Sequence, residues 1–273
     1  MLAASTIESI ARRIKAAQDE AGSLSPVTSE RSDFDVASAY AVADSIHRAR
    51  VAEGAVPVGR KLGFTNRNIW DDYGVRQPIW AYVYDRTLVR GVSGRARCDI
   101  ARFAEPKIEP EIVLHFVSAP PRSDDPAAIL AAVDWIAHGF EIVQSHFPGW
   151  KFQVADTIAD SALHGTLLVG EPVPVARLGG DLVRALESFS LTLSRDGDVC
   201  DVGRGANVLG SPLAAVAHLI DMLSRQPGSA PLSAGEIVTT GTVTAAHPIR
   251  DGQVWQTELR GIELPGLCVE FVG

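Results

Sequence analysis

Lys107-Ile108-Glu109-Pro110-Glu111-Ile112-Val113 sets two carboxylates one residue apart in front of an aliphatic run. In a strand, residues two apart share a face, so Glu109 and Glu111 project side by side. Carboxylates that close repel one another and raise a pKa unless a cation sits between them. A hard divalent ion such as Mg²⁺ takes oxygen ligands and removes the repulsion. The competing explanation is the solvated outer face of a half-buried strand, because Glu is ordinarily exposed.

The rest of the chain supports a β-rich body around this segment. Short β-branched or aromatic runs broken by Gly, Pro and Asp occur at Trp80 to Tyr84, Glu111 to Val117 and Gly165 to Val169. They continue at Phe189 to Ser194, Glu236 to Thr240, Val254 to Leu259 and Leu267 to Val272. Before Gly59 the periodicity is helical. Ser5 and Glu8 have capping-box spacing ahead of Ile7, Ile10, Ala11 and Ile14, and a second helix is predicted from Asp35 to about Val51 with a stop at Gly54. A stripe of Val36, Tyr40, Ala43 and Ile46 marks its buried side. Residues 21–33, rich in Gly, Ser, Thr and Pro, read as a loop. Two further helices are predicted inside the body. Asp125-Pro126 opens one through Ile129, Leu130, Val133 and Ile136 to Gly139, and Ser211-Pro212 opens the other through Leu213, Val216, Leu219 and Leu223. Strands and helices do not alternate strictly, so the class is α+β and not a doubly wound parallel sheet.

Composition excludes several functions. The chain has 273 residues, 46% hydrophobic and 21% charged, which is globular and long enough for a sizeable core. A net charge of -8 argues against a broad nucleic-acid surface. Cys98, Cys200 and Cys268 are odd in number and far apart, giving neither a disulfide framework nor a CxxC site, so a reducing cytoplasm is expected. No apolar run approaches a membrane span, and Glu8, Arg12 and Arg13 interrupt any signal core, so neither membrane nor export is expected.

Two more residues belong with the acidic pair. Glu141, in His138-Gly139-Phe140-Glu141-Ile142-Val143, sits among apolar residues and needs a partner if buried; otherwise it faces outward. Lys61, in Gly59-Arg60-Lys61-Leu62-Gly63, is either a surface lysine or, desolvated beside a metal, an acid/base with lowered pKa. The Gly59–Gly63 run lacks phosphate-loop spacing. The seven histidines lack HExxH spacing, and His164 and His146 read as structural or interfacial. No GxSxG elbow occurs.

Taken together, Gly59-Arg60-Lys61-Leu62-Gly63, Ile108-Glu109-Pro110-Glu111, Phe140-Glu141-Ile142-Val143 and Asp156-Thr157-Ile158-Ala159-Asp160 resemble the 2-keto-4-pentenoate hydratase branch of the fumarylacetoacetate hydrolase superfamily. The stretch from Gly205 to Leu213 and Thr240-Gly241 fit in the same order, so the likeness covers about Gly59 to Phe271. The resemblance implies a mixed β-sandwich or roll, with a helical region over 1–55 and a catalytic domain over 56–273. It implies Glu109, Glu111 and Glu141 as ligands of Mg²⁺ or Mn²⁺, Lys61 as the catalytic lysine, Thr240 at the substrate's carboxylate end, and a homo-oligomer. Two departures touch the substrate pocket. Ile79, in Gln77-Pro78-Ile79, stands where relatives often carry an acid, and Leu163 where they often carry a small hydroxyl residue. Gln77 and Leu163 are therefore expected beside the substrate.

The activity implied is a metal-dependent hydratase of a 2-hydroxy-2,4-dienoate in aromatic-compound degradation, yielding a 4-hydroxy-2-oxo acid. Decarboxylation of a 2-oxo-3-enedioate and C–C hydrolysis of an acylpyruvate use related chemistry. A non-catalytic partner subunit is the rival of another class, opposed by the retention of Lys61 and all three acids.

Overall fold

The computed structural model describes residues 2–67, 70, 75–226 and 228–273. Its first helices are α1 (Ala4–Glu20), α2 (Val27–Glu30) and α3 (Val36–Ala52). The Ser5–Glu8 capping pair does not form, because α1 starts after Ala3 and encloses Ser5 in its first turn. What holds α1 is the burial of Ile7, Ile10, Ala11 and Ile14, since packing outweighs propensity in a helix this short. The segment expected as loop contains the single turn α2. Asp35 caps α3 by accepting a hydrogen bond from the Ser38 amide. The buried stripe of α3 is Ala39, Val42 and Ile46, with Val36 at the surface.

The central sheet runs β2 (Ile79–Tyr84), β1 (Pro57–Gly63), β11 (Ile237–Thr242), β5 (Lys107–Phe116), β6 (Val133–Val143), β7 (His164–Val169) and β3 (Leu88–Arg90). Its end strands, β2 and β3, follow one another in the chain across the 3₁₀ turn Asp85–Thr87. The sheet therefore curls until its two ends share one stretch of chain, giving a roll. Close packing inside it leaves no room at Gly59, where a Cβ would fall 2.1 Å from the Ile237 carbonyl oxygen. A second sheet runs β10 (Asp198–Arg204), β9 (Ser190–Arg195), β13 (Val254–Arg260), β14 (Cys268–Val272) and β4 (Arg95–Asp99).

The helix expected from Asp125 to Gly139 is mostly strand. Only α4 (Pro126–Leu130) is helical, and Val133 onward is β6. β6 is buried on both faces, so its sequence shows no alternation, and Ile129, Val133 and Ile136 mimic a helical stripe. Ten register pairs with β5 then carry Gly139 into the middle of the strand rather than to a helix end.

Outer residues of the roll, including Ile112, Phe140, Ile142 and Leu168, pack against α7 (Pro212–Arg225) and the second sheet in the main core. The stretch Gly205–Arg225 is long and apolar enough to cross a membrane by composition, contrary to the expectation that none would be. In the fold, Leu213, Val216, Leu219 and Leu223 of α7 are buried in the core. A second cluster joins α1 and α3 to α5 (Val154–Ala159) and to Ile79 and Ala81 of β2.

Candidate active site

The inner face of the roll changes character along its length. Val83, Val113, Ala137, Leu167 and Ile237 fill one end as an apolar cluster. Two to four residues farther along the same faces stand Lys61, Glu111, Glu109, Glu141 and Thr239. Glu109 and Glu141 are register partners across β5 and β6, as are Lys61 and Thr239 across β1 and β11. One oxygen from each of Glu109, Glu111 and Glu141 lies within 4.8 Å of the others, so the three predicted ligands converge.

Each acid is held differently. One oxygen of Glu111, Oε2, accepts from the Thr239 hydroxyl and, at 2.7 Å, from the Gly241 amide, while Oε1 is buried without a partner. Glu141 accepts from His164 Nδ1 at 2.7 Å, and His164 Nε2 lies 2.9 Å from the Thr87 hydroxyl. Its other oxygen, Oε2, is 3.0 Å from the Lys61 ammonium but has no aligned hydrogen bond. Lys61 Nζ donates to the Ala162 carbonyl at 2.9 Å.

That carbonyl is presented by unusual backbone. Ser161, Ala162 and Leu163 all have left-handed φ, at 52°, 50° and 63°. A left-handed conformation costs a non-glycine residue about 1–2 kcal/mol, so the turn must be held from outside. The preceding residue, Asp160, supplies the clamp, bound by His146 Nδ1 at 2.8 Å and by Gln18 Nε2 of α1 at 3.0 Å. Asp156 likewise takes the Thr28 amide and hydroxyl.

The electrostatics follow from burial and crowding. Burial pushes the Glu109 carboxyl up to about 7, partly offset by Lys61 and reinforced by Glu141. Burial, then the other two acids, raises Glu111 well above its ordinary value. Burial also opposes ionisation of Glu141, but Lys61 and His164 outweigh it and hold its pKa below the ordinary value. Lys61 departs from the lowered pKa expected of it: burial lowers it, yet Glu141, Glu109 and Glu111 outweigh burial and raise it. The fit to a divalent cation is good. Two buried oxygens without aligned hydrogen bonds, on three crowded acids that share the single positive charge of Lys61, form a hard-oxygen donor set suited to a divalent ion.

A cavity opens over this cluster, lined by Lys61, Phe64, Ile79, Lys107, Glu109, Val143, Trp150, Phe152 and Leu163. Leu163 is among the residues that line it. Gln77 is exposed and does not line the cavity. Thr240 is buried on the opposite face of β11, its hydroxyl donating to the Ile112 carbonyl, while Gly241 and Thr242 border the cavity. The sequence reading does not single out Thr239, and it takes His164 as structural or interfacial rather than as a partner of Glu141. Strand alternation from Lys61's partner would find Thr239, but the register is not readable from one chain. His164 carries no local signal beyond its ionisable ring.

No family model matches the chain. A 4-oxalocrotonate decarboxylase of a Pseudomonas species is 30% identical over 257 residues, covering 93% of this chain and 92% of the relative. 2-Keto-4-pentenoate hydratase 1 of Dechloromonas aromatica is 30% identical over 258 residues, covering 93% and 94%. The chain belongs to the 2-keto-4-pentenoate hydratase family. Among solved structures, 4-oxalocrotonate decarboxylase from Pseudomonas putida, complexed with magnesium and adipate, superposes with a TM-score of 0.90 at 26% identity, covering 100% of this chain and 99% of that one. Fumarylpyruvate hydrolase from Pseudomonas aeruginosa, at 13% identity and a TM-score of 0.58, shares the fold. The fumarylacetoacetate hydrolase type of roll with a helical N-terminus, expected for this hydratase family, is the observed architecture.

Proposed function

We propose that the protein is a metal-dependent hydratase converting a 2-hydroxy-2,4-dienoate and water to a 4-hydroxy-2-oxo acid. The observation that carries this reading is the contact of a buried lysine with one of three convergent carboxylates on the floor of a mostly apolar cavity. Glu109, Glu111 and Glu141 would hold Mg²⁺ or Mn²⁺, which when bound supplies Lewis-acid stabilisation of negative charge on a 2-oxo acid. Lys61 holds a proton on Nζ, aimed by Glu141 and the Ala162 carbonyl, delivers it to C5 of the dienol, and takes up the C2 hydroxyl proton as the 2-oxo group forms. Water then adds to the remaining conjugated alkene at C4, and C3 takes up a proton. Ile79, Val143, Phe64 and Leu163 exclude bulk water around the carbon chain. Thr240 contributes by fixing the 240–242 segment through its bond to Ile112. On this reading the enzyme works in the cytoplasm as a homo-oligomer in aromatic-compound breakdown.

Decarboxylation of a 2-oxo-3-enedioate is the second reading, favoured by one decarboxylase relative at 30% identity and by the decarboxylase structure that superposes with a TM-score of 0.90 at 26% identity. The protein purified alone with Mg²⁺ is incubated with a dienoate, an oxo-enedioate and an acylpyruvate in parallel, and products are identified by mass. Formation of the hydrated 2-oxo acid is expected. Carbon dioxide release without hydration moves the assignment to the second reading, and no turnover of any substrate moves it to a non-catalytic subunit.

A further inference from the structure

The Ala162 carbonyl that accepts from Lys61 belongs to a turn gripped by the N-terminal helices. The Ala162 side chain is buried in the apolar cluster that α1 and α3 form with α5, while its carbonyl receives the Lys61 ammonium at 2.9 Å. Gln18, near the end of α1, adds a polar hold. Its Nε2 donates to Asp160 Oδ1 at 3.0 Å and to Ser161 Oγ at 3.1 Å, on the two residues immediately before Ala162.

The orientation of that amide is set from α3. Arg50 Nη2 donates to Gln18 Oε1 at 3.1 Å, and a guanidinium offers donors only, so the amide oxygen faces Arg50 and its NH₂ faces the turn. Arg50 is itself paired with Asp19 of α1. A chain of bonds therefore runs from Arg50 through Gln18 to Asp160 and Ser161, and one residue farther to the oxygen that meets Lys61. Three consecutive left-handed residues make the turn dependent on such outside bonds, because side chains with a Cβ disfavour that conformation. His146 also holds Asp160, whereas Gln18 spans Asp160 and Ser161 at once.

We propose that Gln18 is a positioning residue, holding the 161–163 turn from α1 so that the Ala162 carbonyl keeps the Lys61 ammonium in its working place. The inference rests on the proposed function for the role of Lys61 as proton carrier. The helical N-terminus is then a working part of the active site, although among the described residues none of those lining the cavity comes from it.

The test compares wild type with Gln18→Met, which keeps side-chain length and helix propensity but removes both donors. Amide hydrogen exchange over residues 160–164 should be faster in the variant, because the Leu163 amide bonds the Asp160 carbonyl inside the turn. On whichever of the three substrates wild type turns over, kcat should fall about 10- to 100-fold, the cost of a small misplacement of a reacting group. KM and calorimetric Mn²⁺ affinity should stay near wild type. Placed in the Lys61→Met protein, Gln18→Met should have no further effect on the residual rate, since a positioning residue acts through the group it positions. If Gln18→Met does not fold, Gln18→Ala takes its place. Unchanged exchange, a normal kcat, or a loss that adds fully to that of Lys61→Met overturns the inference while the proposed function stands. A wild type that turns over none of the three substrates overturns both.

Discussion

Glu109 on β5 and Glu141 on β6 face one another as register partners, so two acids from different strands meet across a single β-ladder with Glu111 beside them. Without a cation this arrangement opposes folding. The Glu109 carboxyl, raised by burial to about 7 from an ordinary value of 4.5, keeps a proton in the folded protein that the unfolded chain has already released. Its contribution to stability therefore falls as pH rises from about 4.5 to 7 and is level beyond. In chelator, the Tm of wild type should fall relative to Glu109→Gln across that window, and Mg²⁺ should reverse the trend. Parallel Tm curves for the two proteins would sink this account.

Lys61 supplies the positive charge that keeps Glu141 ionised. Lys61→Met should lower kcat by about 10²–10⁴, the worth of a lost acid/base group. In chelator it should also destabilise the fold by up to about 3–5 kcal/mol, since a buried acid loses its partner. Denaturant unfolding with and without Mg²⁺ separates the two effects. A variant with normal kcat would leave proton transfer without a carrier.

His164 links Glu141 to Thr87 in the turn that joins the two ends of the roll. Partners of this kind orient a ligating carboxylate, and their loss typically costs 10- to 100-fold in metal affinity. His164→Ala should weaken Mn²⁺ binding by about that factor in a calorimetric titration, with circular dichroism unchanged. Affinity equal to wild type would return His164 to a purely structural role.

Gly241 combines a φ of 99° with an amide that bonds Glu111, and a Cβ there would lie 1.8 Å from the Thr65 hydroxyl. Gly241→Ala should cost more than about 1 kcal/mol in urea unfolding, because the native φ is closed to alanine. Metal affinity should drop with it. Unchanged unfolding would mean that Thr65 and the 240–242 segment yield freely.

Much of this site was legible from the chain. The acids at 109 and 111 share a face by strand geometry alone, and Asp35 and Ser211 marked the starts of α3 and α7 correctly. The helix read through Val133 and Ile136 was wrong because a strand buried on both faces loses the alternation that identifies it. Thr239 and His164 acquire their roles from register and from partners 128 and 23 residues away. Such pairings leave no periodic trace. Thr240 shows the same limit, since adjacent positions on one strand point to opposite faces.

The left-handed turn at Ser161, Ala162 and Leu163 has a bearing on which sequences this protein can tolerate. Proline is shut out at all three positions because its ring fixes φ near -65°, and β-branched residues are penalised there. Glycine would adopt the conformation freely but would gain many others in the unfolded chain. The permitted alphabet is therefore narrowed by backbone shape alone. The main-chain oxygen that orients Lys61 is guarded by a restriction on side chains that need never meet the lysine.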